Sequence, residues 1–232
     1  RTSQWLSVDR FASKYPNASP YNYTMGNPIK FIDMNGDTLK VMVFDQPNRP
    51  LDNGTRGASY TADVYVFDTE SGDLSGPYSG SSYPNSVSNT DNSTNYNTLN
   101  SGEHLFNNES GHKGGTLKGL NIVNSEGERK APGTAPNGED VMMKYVNVHS
   151  GASNNGNYSS RGSGGCITIE PGTGDNQADK FFENFIWTNS NQTTGNSSGV
   201  INVSRSDNSV MQKQFMFDRA YNIKENIYNP VY

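Results

Sequence analysis

A single cysteine, Cys166, stands among 232 residues. It excludes an internal disulfide and a cysteine-built zinc cluster. A lone cysteine is ordinarily a small buried hydrophobe, so a chemical role has to come from its surroundings. Histidine is also scarce, at positions 104, 112 and 149 only. No i,i+4 pair and no His-Glu-x-x-His occur, so neither a zinc site nor any other cofactor is expected. Long hydrophobic runs are missing: none approaches the ~20 residues of a membrane-crossing helix, and no membrane span is expected. Basic excess is missing too. The formal net charge is −5, and a nucleic-acid partner is not expected without a basic face. No signal peptide opens the sequence at Arg1-Thr-Ser-Gln. Export is therefore expected to depend on a signal elsewhere or on another delivery machine.

Apolar residues make up only 31%, yet 13 Tyr and 10 Phe supply core volume. Twenty-four glycines, with many Asn, Ser and Thr, point to a loop-rich β protein. The length suits one substantial domain with a small appendage. Strands are expected at 61–68, near 80–83, and at 102–106, 118–123, 142–150, 166–169 and 199–205. One good helix is expected from Asp175 to Trp187, capped by Asp175 or Asn176. Its apolar stripe is Ala178, Phe181, Phe182, Phe185 and Ile186. Residues 37–59, rich in Pro, Asn and Gly around QPNRPLDNGTRG, read as a linker with a turn. The main domain is then 60–232.

Residues 1–36 have another character: aromatic, punctuated by proline, without a long period. WLSVDR, then SKYPNASPYNYTMGNPIKFID, then Asp33-Met-Asn-Gly36 follow in order. This stretch resembles the C-terminal end of the Rhs/YD-repeat associated core. The resemblance implies that a variable, often toxic, domain follows a large β shell, and that the chain is a fragment of a longer polymorphic toxin. The implied partners are the rest of the Rhs polypeptide and a cognate immunity protein.

The chemistry concentrates in KYVNVHSGASNNGNYSSRGSGGCITI, 144–169. As a strand, 144–149 would turn Tyr145, Asn147 and His149 to one side. A loop of small residues leads to a second β run at Cys166. A thiol nucleophile needs a nearby base, and that base needs an orienting partner. Strand, loop and strand can bring His149 beside Cys166, within about 4 Å or a little farther without substrate. Gly164 and Gly165 allow close backbone approach, and N–H groups at Gly165 and Cys166 can form an oxyanion hole. Ser150 can orient the imidazole.

This pattern resembles the catalytic motif of the L,D-transpeptidase (YkuD-like) family. The matching pieces are His149-Ser150 and Ser163-Gly164-Gly165-Cys166-Ile167. The resemblance implies a mainly β fold, an L,D-transpeptidase-like β-sandwich or barrel with one or two helices, preceded by the small Rhs-derived segment. It implies a cysteine acyl-transfer enzyme acting on peptidoglycan stem peptides, secreted and working in the periplasm or cell wall of a target bacterium. The motif's second histidine is Gly164 here, and the arginine that commonly follows Cys-Ile is Thr168. Arg161 is the expected substitute for substrate carboxylate binding, with Ser163, Gly164, His112 and Tyr145 lining the site. Papain-like enzymes place Cys before His, and caspase-like ones place His about 50 residues upstream; here the interval is 17 positions. Two other readings stay open: a non-catalytic wall-binding or structural module, and a cysteine protease.

Overall fold

The computed structural model describes residues 39–51, 59–87, 93–151, 161–171, 176–207 and 209–228. The segment 1–36, read from sequence as a separate appendage, Asp175 and most of the loop before Cys166 lie outside the described residues.

Eight strands close a barrel: β1 (Leu39–Asp45), β2 (Ala62–Asp68), β3 (Leu74–Ser81), β5 (Gly102–Asn107), β6 (Gly119–Val123), β9 (Asn147–Ser150), β10 (Ile167–Ile169) and β11 (Ser198–Arg205). Their order around the barrel is β1-β11-β5-β6-β9-β10-β3-β2. The β1/β11 and β9/β10 pairs are parallel, and the rest are antiparallel. A separate sheet joins β4 (Thr98–Leu99), β7 (Lys130–Thr134) and β8 (Asp140–Lys144). Two helices complete the described structure, α1 (Gln177–Phe182) and α2 (Ser209–Tyr228). The expected mainly β fold with one or two helices is present.

Alternation explains the inner face. Val41 and Val43 stand opposite Ile201 and Val203 on one side and opposite Val66 and Val64 on the other. Leu120, Val148 and Ile167 line up across β6, β9 and β10. All are buried in one cluster. Eight strands leave an interior just wide enough for side chains to fill. Each fully buried branched residue contributes roughly 1.5–3 kcal/mol. The α1 residues Ala178, Phe181 and Phe182 join that cluster, with Phe181 edge-on to Tyr78 at 5.6 Å.

The opposite face differs by sector. On β1 and β2 it carries Phe44, Tyr65 and Phe67, which are buried with Met216 and Ala220 of α2. Ion pairs Lys213–Asp63 and Lys224–Asp73 pin that helix. On β6, β9 and β10 the same side of the sheet carries Asn121, Asn147, His149 and Thr168. This polar sector holds the candidate site.

Three expectations change. Residues 39–45 are a barrel strand rather than linker, because Val41 and Val43 have cross-strand partners on both sides. The run 142–150 is two strands, not one; Tyr145 has φ 59°, which breaks the pleat between β8 and β9. The expected 175–187 helix is shorter. Asn176 caps it by accepting the Asp179 N–H, and Trp187 Nε1–H donates to the Phe182 carbonyl at its end. Ile186 therefore leaves the apolar stripe and is exposed. The second of the one or two helices expected is α2, which is longer than α1.

Candidate active site

His149 sits near the end of β9, between Gly119 of β6 and Thr168 of β10. Asn147, two residues earlier, lies on the same side of the strand and pairs with Asn121. Cys166 directly precedes β10, so continuing the register sets it beside Asn147. The Asn147 backbone N–H donates to Cys166 Sγ at 3.4 Å. Cys166 and His149 thus occupy adjacent strands, on one face, offset by two residues. Two residues along the strand and one strand across separate such diagonal neighbours by roughly 8 Å at Cα. Among the described residues, no hydrogen bond links Sγ to the His149 ring.

The His149 imidazole is oriented by a carbonyl. Nδ1 lies 2.6 Å from the Ser150 backbone oxygen. That contact assigns the proton to Nδ1 and leaves Nε2 as the basic nitrogen. Ser150 therefore contributes its main chain; its hydroxyl turns to the Gly151 carbonyl.

His112 packs against His149. Its ring stacks on His149 with centroids 4.0 Å apart and planes 5° from parallel. Gly119 permits this: a Cβ there would fall 2.8 Å from His112 Cβ. The His112 backbone bonds to Leu117 in an isolated bridge, which holds the turn over β6. His112 Nδ1 accepts from Asn147 Nδ2 at 3.3 Å. The Asn147 Oδ1 accepts from Asn121 Nδ2 at 2.8 Å and from Arg129 Nη2 at 2.7 Å. Asn147 is therefore the hub that joins thiol, second imidazole and guanidinium.

The charges settle toward neutrality. Burial pushes the Cys166 thiol up, opposed in part by the Asn147 N–H and the Arg129 charge. Burial holds His149 below the usual imidazole range, with the Ser150 carbonyl opposing and Lys113 adding to it. His112 is lowered to about 4, first by burial, then by His149, Lys113 and Arg129. At neutral pH the resting site is a thiol beside two neutral imidazoles.

The remaining expected residues fall into three groups. Gly165 is buried with φ +123°, and an added Cβ would lie 2.8 Å from the Asn97 carbonyl oxygen. Its N–H donates to Ser163 Oγ at 3.2 Å, so it is not the free oxyanion donor expected from sequence. Ser163 is itself buried. Its hydroxyl donates to the Cys166 carbonyl at 2.6 Å, so it shapes the turn before the cysteine rather than meeting substrate. Gly164 is exposed beside the Tyr96 ring, and Tyr145 is 66% exposed with Arg129 over its ring at 5.1 Å.

Arg161 is corrected outright. It is 0% exposed, and its guanidinium donates to the carbonyls of Pro50 and Pro84. It ties chain segments together and cannot reach a substrate. The cation at the cysteine is Arg129, which the sequence offered no local signal to find; it precedes β7 and belongs to no motif. His104 stays apart, its Nε2 bonded to the Asn100 carbonyl. Among the described residues no cluster of three or more His, Cys, Asp or Glu is arranged to hold a metal.

Comparison with protein-family models, with curated proteins and with solved structures finds no match to this chain.

Proposed function

We propose that this chain is a cysteine acyl-transfer enzyme acting on peptidoglycan stem peptides, as an L,D-transpeptidase, L,D-carboxypeptidase or D-amino-acid exchanger. In this reading it is the toxin domain of an Rhs effector working in the periplasm or cell wall of a target bacterium. One observation carries the chemistry. Cys166, Asn147 and His149 share one face of β9 and β10, with the His149 Nδ1 proton committed to the Ser150 carbonyl. The substrate comes from the sequence motif.

The neutral resting pair favours general-base activation over a preformed ion pair. The Cys166 side chain swings to His149, whose Nε2 takes the thiol proton as Sγ attacks the scissile carbonyl. The tetrahedral oxyanion collapses, and Nε2–H returns that proton to the departing amine. A thioester on Cys166 remains. Water or a second amine then attacks it, giving its proton to Nε2, and the restored thiolate takes that proton back.

The test is release or exchange of the terminal D-residue from a purified tetrapeptide muropeptide, followed by mass spectrometry. Cys166→Ala and His149→Ala should each abolish turnover while remaining folded. Nucleophile and base act as a unit, so each loss alone should be nearly complete. A wild type whose muropeptide profile equals that of folded Cys166→Ala would discard the assignment. The missing Sγ–His149 hydrogen bond favours one alternative, a non-catalytic wall-binding or structural module. Rapid, His149-dependent labelling by an acylating probe would count against that alternative.

A further inference from the structure

The geometry points to Arg129 as the anion-binding residue of the thiol site, taking a carboxylate next to the bond that Cys166 attacks. The identity of that carboxylate, the terminal one of a stem peptide, rests on the proposed function. The anion site itself rests on five observations.

Arg129 is half-buried and held on two sides, by Asn147 Oδ1 at 2.7 Å and by the Tyr145 ring at 5.1 Å. Its backbone carbonyl accepts the Tyr145 N–H at 3.1 Å, across the φ 59° break that separates β8 from β9. Among the described residues no carboxylate pairs with its guanidinium. Its Nε is buried and has no hydrogen-bond partner. A buried charged donor without an acceptor is costly, and an anionic ligand is one group that would supply the acceptor. The charge also lies close enough to Cys166 to pull against the rise of its pKa, and close enough to His112 to lower that ring's. A fixed guanidinium fork, with one donor committed and another open, suits a carboxylate better than a point charge does.

The position matters for selectivity. A cation beside the nucleophile favours a peptide whose leaving residue ends in a free carboxylate. An internal amide bond would bring a neutral peptide group to the open Nε–H. The site therefore favours cleavage or exchange at a chain terminus over cutting within a chain.

The test uses two alkylating reagents that differ in charge, on the whole chain. Iodoacetate is a small carboxylate, and iodoacetamide is its neutral counterpart. The readout is the ratio of their Cys166 alkylation rates, referred to free cysteine at the same pH. Thiolate fraction and accessibility affect both reagents and cancel in that ratio. Wild type should favour iodoacetate by about tenfold over the reference, the worth of one charge-assisted hydrogen bond. Arg129→Gln should lose that preference, and Arg129→Lys should keep part of it. A ratio equal in wild type and Arg129→Gln overturns the proposal. So does a fall in both rates with the ratio unchanged, which is the mark of a purely structural arginine holding Asn147. A second arm compares a tetrapeptide stem ending in a free acid with the same stem ending in an amide. Wild type should prefer the acid, and Arg129→Gln should erase the preference through KM. If wild type turned over neither peptide, the peptidoglycan reading would fall, while the alkylation ratio would still decide the role of Arg129.

Discussion

Alkylation of Cys166 by iodoacetamide should rise about tenfold per pH unit through neutrality, with no plateau below pH 7. The ordinary values are 9.0 for a thiol and 6.5 for an imidazole. They differ by 2.5 units, so moving the proton from thiol to imidazole is uphill by about 3.4 kcal/mol before any effect of the fold. The structure widens the gap from both ends. Burial raises the thiol and lowers the imidazole, because both shifts disfavour the charged form. For the thiol taken by itself, the thiolate fraction at pH 7 is then below about 1%. His112 does not rescue the pair; its value of about 4 leaves it a weak base at neutral pH. The sign for turnover follows. His149 must be neutral to accept the proton, and its lowered pKa keeps it so at pH 7. The acid limb of kcat/KM should therefore fall below pH 6.5. The assay is alkylation rate against pH, followed by intact-mass measurement, in wild type and His149→Ala. An inflection below pH 7 that vanishes in His149→Ala would show a preformed ion pair and refute the reasoning.

Two further substitutions separate structural from functional residues. Arg161→Ala should destabilise the fold by about 2–4 kcal/mol, because the buried carbonyls of Pro50 and Pro84 lose a charged donor. Urea unfolding reads this; unchanged stability together with a raised KM would return Arg161 to the substrate. Gly165→Ala should cost about 1–3 kcal/mol, since φ is +123° and the new Cβ would lie 2.8 Å from the Asn97 carbonyl oxygen. Thermal unfolding checks it, and a melting temperature equal to wild type would show that the turn relaxes freely.

Local pattern was enough for most of the barrel. ADVYVFD, GEHLF, GLNIV and GVINVSR carry β-rich composition or period-2 alternation in their own residues, and each forms a strand where expected. The pairing of His149 with Cys166 as candidates was also legible, since both lie at the ends of β-type runs joined by small residues. The Asn176 cap and the buried Phe181, Phe182 and Phe185 were legible for the same local reason.

Tertiary structure decided the rest, because the deciding partner was distant in sequence. LKVMVFD borders a Pro- and Asn-rich stretch and reads as linker, yet parallel pairing with β11 makes it a central strand. The apolar residues of α2 lie on several sides of the helix, with Val210, Met211 and Phe215 exposed. Only packing of Met216 and Ala220 on Phe44, Tyr65 and Phe67 singles out its buried face. The second imidazole came not from the motif but from His112, brought over β6 by the register that sets side-chain-free Gly119 beside His149. Arg129 and Arg161 are the same residue type in sequence. Burial against proline carbonyls makes one a structural tie. A buried, unpartnered Nε beside the thiol makes the other a candidate for substrate. Charge is written in the sequence, but its use depends on which groups are left to answer it, and only folding determines that.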